Sequence, residues 1–180
     1  MKKNVFFGAI FSLLVLAFTA SAQTSDYSGT WTLDVSKSKL GDRNMIAEQT
    51  LTVVQTAKDI TVTPATKRNP PPDGAMGGGG RPGGGMGGGD AAMTYSLDGK
   101  ETKTEIEGRM GKMPVTLTAK SEGGRLLLTS VSSFSGPMGE ITVTTKENWE
   151  LSADGKTLTI NTERTTPRGT DSTTRVFSKK

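Results

Sequence analysis

Three charged side chains near the end of this chain could do chemistry in an apolar setting: Glu147, Arg164 and Arg175. Each stands two residues from apolar or small partners. Glu147 precedes Trp149, Arg164 follows Thr162 and Ile160, and Arg175 precedes Phe177. Residues two apart on a strand point to one face, so all three are expected to point inward with those partners. A guanidinium facing an apolar interior is costly unless it is paired, hydrated or holding an anion. Three chemistries fit: a Glu147–Arg175 ion pair across the small Thr162, a ligand anion held by Arg164 and Arg175, or a wet interior. The chain has no His and no Cys. That removes imidazole-dependent catalysis, thiolate chemistry, disulfides and Cys/His metal sites. A pair of carboxylates could in principle cleave a glycosidic bond. Glu147 is the only acid placed inside, however, and no spacing marks a second. No catalytic residue, metal ligand or cofactor is assigned.

Other motifs carry less. Met76 and Met86 could offer thioethers to Cu(I), but two are few. Arg81 alone makes no nucleic-acid-binding tail, and no GxxxxGK[ST] phosphate loop occurs. Arg109 and Lys112 read as a solvated loop.

The elements that must position these residues alternate with period two almost everywhere. Examples are Thr50-Leu51-Thr52-Val53, Met93-Thr94-Tyr95-Ser96-Leu97 and Leu158-Thr159-Ile160. Turn signals punctuate the runs, above all Asp98-Gly99 and Asp154-Gly155. Ten strands are predicted, at 27–35, 48–56, 59–65, 92–97, 100–107, 113–121, 125–134, 139–151, 156–166 and 171–178. The fold class is all-β: an antiparallel up-and-down meander whose last strand lies beside the first, closing a barrel and removing its edges. A two-residue loop at Asp154-Gly155 pairs Leu151 with Leu158, Trp149 with Ile160, Glu147 with Thr162 and Thr145 with Arg164. A loop at Arg168-Gly169 then sets Ile160 against Phe177, Thr162 against Arg175 and Arg164 against Thr173. In the preceding hairpin Phe134 faces Gly139 and Ser132 faces Ile141. Met93, Tyr95 and Leu97 share a face with Thr102, Thr104 and Ile106.

Residues 69–91 break the pattern. Three prolines lead into a Gly-dominated run, too poor in burial to offset its ordering entropy, and a disordered loop is expected there. At the other extreme, Met1-Lys2-Lys3, the apolar run Val5–Ala17 and the small residues Ala20-Ser21-Ala22 form a three-part secretory signal over residues 1–22. Residues 23–180 are then a single barrel domain, exported to the periplasm or the exterior, which look alike from this chain. Loss of Lys2 and Lys3 lowers the formal charge from +4 to +2. That is no nucleic-acid footprint. The outward residues Lys103, Glu105, Lys146, Glu150 and Glu163 do not suit a lipid-embedded barrel, so the processed chain is not expected to sit in a membrane. Nothing in the sequence encodes its oligomeric state.

The two ends of the chain also carry a resemblance. Ser28-Gly29-Thr30-Trp31-Thr32-Leu33 resembles the opening Gly-x-Trp strand of the lipocalin and fatty-acid-binding protein (calycin) superfamily. Thr174-Arg175-Val176-Phe177-Ser178-Lys179 resembles the closing strand of fatty-acid-binding proteins, where an Arg-x-Tyr pair points inward and holds a carboxylate. The resemblance implies a small exported lipocalin-like barrel. Trp31 takes the position of the Trp that closes one end, Arg175 that of the carboxylate-binding Arg, and Phe177 stands where the family has Tyr. The candidate ligand-binding set is therefore Arg175, Phe177, Arg164, Trp149, Trp31 and Tyr95, although Trp31 and Trp149 fit better as core plugs than as ligand platforms. The expected function is binding of a small hydrophobic or amphipathic molecule in the interior, without catalysis. The alternative is a filled barrel serving as a structural or protein-interaction module.

Overall fold

The computed structural model describes residues 25–41, 45–70, 90–108, 111–136 and 139–180. The proposed signal, Met76, Arg81, Met86, Arg109 and most of the Gly-rich loop lie outside them. At one end of that loop the Asn69 N–H donates to the Met45 carbonyl at 2.7 Å.

Ten strands follow one another: β1 (Gly29–Leu33), β2 (Ile46–Gln55), β3 (Asp59–Arg68), β4 (Met93–Ser96), β5 (Thr102–Gly108), β6 (Gly111–Glu122), β7 (Arg125–Gly136), β8 (Gly139–Leu151), β9 (Thr157–Thr166) and β10 (Gly169–Lys179). All ladders are antiparallel, and the order in the sheet is β4-β3-β2-β1-β10-β9-β8-β7-β6-β5. The meander therefore wraps until β10 pairs with β1, and its two edges, β4 and β5, are consecutive in the chain. The result is a nearly closed all-β barrel. Lys112, expected in a loop, instead stands exposed on β6, with Nζ 3.7 Å from the Glu105 carboxylate.

The predicted pairing of β4 with β5 does not form. Asp98 accepts the Lys100 N–H and the Ser96 hydroxyl, both at 2.9 Å. Such a side-chain turn satisfies the chain locally and competes with a ladder. Tyr95 and Ile106 nevertheless both face the core, as their shared phase requires.

The β8–β9 ladder has the predicted register throughout, from Thr145 opposite Arg164 to Leu151 opposite Leu158. Two other hairpins differ by two residues. Arg175 lies opposite Ile160 and Phe177 opposite Leu158, because the loop is Pro167-Arg168 and Thr166 pairs with Gly169. Pro at the second and Gly at the fourth turn position is the type I preference, and the Thr166 hydroxyl ties the turn by donating to the Gly169 carbonyl at 3.1 Å. Likewise Phe134 pairs with Ile141 and Ser132 with Val143, since the strands continue to Gly136 and Gly139. A shift of two leaves every side chain on its expected face but moves it to a different layer.

Alternation gives each strand an apolar inner face. Leu51, Val53, Ile60, Leu117, Leu126, Leu128, Leu158 and Ile160 are all buried there. Trp31 is 0% exposed, and its indole N–H donates to the Tyr27 carbonyl at 2.9 Å. Tyr27 in turn packs edge-on against Trp149, with ring centroids 5.9 Å apart. Gly29, just before Trp31, has φ +139°, and a Cβ there would sit 2.7 Å from the Lys179 side chain. The positive φ favours glycine at this position, and the flexible Lys179 side chain beside it places Nζ 5.1 Å over the Trp31 ring. This end of the barrel is filled.

Candidate ligand-binding cavity

Beyond the filled end the interior is hollow. A cavity of about 440 Å³ is walled by Leu51, Val62, Met93, Ile106, Val115 and Leu128, with Tyr95, Trp149 and Ile160 among its other apolar neighbours. Its charged lining is three arginines, Arg68, Arg164 and Arg175, and one acid, Glu147.

Arg175 and Glu147 form a network that crosses five strands. Arg175 Nη2 donates to Glu147 Oε1 at 2.7 Å and to the Thr162 hydroxyl at 3.1 Å. Arg175 Nη1 donates to Gln49 Oε1 at 3.2 Å. Gln49, 7% exposed, passes a bond on from Nε2 to the Thr66 hydroxyl at 3.0 Å. The second Glu147 oxygen accepts the Trp149 indole N–H at 2.9 Å. Because of the two-residue shift in β10, the ion pair runs diagonally between neighbouring layers, with Thr162 small enough to let it pass. The pair is the interior ion pair weighed from the sequence. Its side chains are 18% and 20% exposed, so their desolvation is large and their mutual bonds must offset it. Arg175 Nε is buried without a partner.

Arg164 differs. It lines the same cavity yet makes no ion pair and no side-chain hydrogen bond among the described residues. It stands one same-face step along β9 from Thr162, about 7 Å, in the layer next to the network.

Of the six residues singled out in the sequence, the cavity wall brings together Arg175, Arg164, Trp149 and Tyr95. Phe177 and Trp31 lie elsewhere. Both are 0% exposed in the filled end, Phe177 because the β10 shift carries it to the Leu158 layer. Burial, and secondarily the Glu147 charge, push the Tyr95 phenol far above its ordinary range. Its hydroxyl points at Met93 Sδ, 3.6 Å away. Gln49, Arg68, Ser130, Ser132 and Thr145 also line the cavity. Gln49 was legible, since it continues the inward phase of Leu51 and Val53 by one step. The face of Ser132 followed from the same phase as Phe134 and Ile141, and Ser130 continues it by one step.

No protein-family model matches the chain, and no curated protein matches it in sequence. Among solved structures the chain is similar to a zebrafish ileal bile acid-binding protein complexed with cholic acid, at 18% identity and a TM-score of 0.47, covering 86% of this chain and 98% of that one. It is also similar to the fatty-acid-binding protein isolated from Manduca sexta, at 16% identity and a TM-score of 0.43, covering 85% of this chain and 99% of that one. The likeness is one of fold.

Proposed function

We propose that this chain is an exported barrel that holds one small, largely apolar molecule in its interior and catalyses no reaction on it. The observation that carries this reading is the unfilled cavity. Its 440 Å³ falls in the range of about 300–1,000 Å³ typical of small-molecule sites, which are mostly apolar walls with a few placed polar groups. A barrel of this size can be packed solid by its own side chains, and here the end around Trp31 is. The rest is left open. Burying apolar ligand surface against these walls is favourable by about 25 cal/mol per Å².

Glu147 is the only carboxylate in the cavity wall among the described residues, and both its oxygens are engaged. That supports a binding role over a two-carboxylate hydrolytic one. The exposed Lys103, Glu105, Lys146 and Glu163 on the outer face support a barrel surrounded by water. The cationic start, apolar run and Ala20-Ser21-Ala22 support export. Native mass spectrometry on protein gently purified from its own host tests the reading. A co-purified mass of a few hundred daltons, released on denaturation, is expected. A clean apo mass that also takes up no apolar compound from a panel overturns it.

A further inference from the structure

Tyr95 is 5% exposed, and its phenol O–H finds no oxygen to donate to among the described residues. Its one partner there is the Met93 thioether, with Oη 3.6 Å from Sδ. A buried tyrosine hydroxyl ordinarily holds a full hydrogen bond, and a thioether is only a weak acceptor. A donor is thus left largely unspent beside a sulfur atom.

Met93 is also the methionine best placed to meet a reagent inside the barrel. Met45, Met93 and Met113 are the methionines among the described residues. Met45 is 38% exposed and forms no part of the cavity wall, and Met113 is buried opposite Ile106. Met93 is half-buried and lines the cavity, between the apolar side chains of Val62, Tyr95 and Ile106. It opens β4, whose ladder with β3 ends at the Val62–Met93 pair and which has no ladder with β5. Its sulfur therefore sits on a free-edged strand, facing the space a ligand would fill.

We propose that Met93 is an oxidation site, at which an oxidant of the hydroperoxide class converts the thioether to a sulfoxide and makes the barrel release its apolar ligand. This rests on the interior-binding reading above and goes further by naming a modification that controls it. A lone pair of Sδ attacks one peroxide oxygen, and the O–O bond breaks. Sulfur is oxidised by two electrons. The departing hydroxide takes the proton of the transferred hydroxyl and leaves as water. The product is polar where the thioether was apolar. The Tyr95 O–H then has a strong acceptor beside it, so the new oxygen is held in the wall and the strand stays folded. An apolar ligand lying over that oxygen must desolvate it, which weakens binding.

The test treats the purified full barrel with hydrogen peroxide, removes the peroxide, and maps the peptides by mass. Met93 should gain one oxygen in the folded protein. Nile red should then bind at least about fivefold more weakly, the order expected when a polar group is covered without a partner from the ligand. Methionine sulfoxide reductases should restore the affinity. Met93→Leu, compared only with itself before and after treatment, should show no change, although its other methionines stay open to oxidation. Treatment should lower the Tm of Tyr95→Phe by about 2–4 °C more than that of the native protein, since its sulfoxide lacks a donor. A Met93 that stays unoxidised while Met45 reacts overturns the proposal. So does an unchanged affinity after Met93 is oxidised, or an equal loss in treated Met93→Leu. Equal Tm changes in Tyr95→Phe and the native protein overturn the part given to Tyr95. Failure of the untreated native protein to bind Nile red overturns the proposal together with the reading beneath it.

Discussion

Replacing Glu147 by Gln keeps the shape of the side chain and removes its charge. In the native barrel the carboxylate takes one charge-assisted bond from Arg175 at 2.7 Å and one from the Trp149 indole at 2.9 Å. A glutamine has one acceptor oxygen for these two donors, so one is left unmet. Arg175, 18% exposed, then carries an uncompensated charge. Breaking a fully buried pair from one side costs about 3–5 kcal/mol. Here the cavity leaves each partner about a fifth exposed, which lowers the expected cost to about 2 kcal/mol. For a domain of this size that is a fall in Tm of about 4–8 °C. Urea denaturation of the single variants Glu147→Gln and Arg175→Met and of the double variant closes a mutant cycle. The double variant should be closer to wild type than the sum of the singles by about 2 kcal/mol, because removing both charges together strands neither. A coupling below about 0.5 kcal/mol would refute the claim that the pair satisfies the interior.

Trp31→Ala should cost about 3–5 kcal/mol by denaturant unfolding, since Trp31 is 0% exposed and plugs the filled end; a loss under about 1 kcal/mol contradicts that role. Hydrogen bonds from Lys100 and Ser96 hold the Asp98 carboxyl down at about 2. Its contribution should be intact above the unfolded carboxyl range near pH 4 and disappear as pH falls toward 2. Asp98→Asn should flatten that acid limb of the stability profile, and an unchanged limb counts against the turn. The Tyr95 phenol is raised by burial, and the Tyr27 phenol also lies above its ordinary value. Stability should therefore be complete below about pH 10 and decline above it as the unfolded state ionises. Tyr95→Phe should lessen the decline, leaving the Tyr27 part, and phenolate absorbance should appear only with unfolding.

The parts of this fold that could be read from sequence were those fixed by parity. Whether Trp149, Ile160, Glu147 or Arg164 faces inward depends only on counting by twos, and each faces the predicted way. Where the layer depends on how many residues a loop spends, parity is silent. Pro167-Arg168 and Arg168-Gly169 are both chemically sensible loops, and they differ by one step in each strand. That step separates an Arg175 opposite Thr162 from the observed Arg175 opposite Ile160. It also decides that Phe177 belongs to the filled end and not to the cavity wall. The unladdered junction of β4 and β5 escaped for a related reason. Asp98-Gly99 signals a turn, but not whether the turn's bonds go to a partner strand or to its own aspartate. The cavity itself has no sequence signature, since it is the volume that Ser130, Ser132 and Thr145 leave unfilled.

The central claim is that the barrel holds its ligand inside, and filling the hollow tests it most directly. Val115 lines the cavity opposite Ser132 and is 3% exposed. Val115→Trp should push a two-ring side chain into that space and occupy it. Nile red, a neutral probe that fluoresces in apolar surroundings, is titrated against wild type and Val115→Trp, with cooperative unfolding checked in both. One-to-one binding by wild type and at least about tenfold weaker binding by the folded variant is the predicted result. Equal binding by both places the probe outside the barrel and contradicts the account.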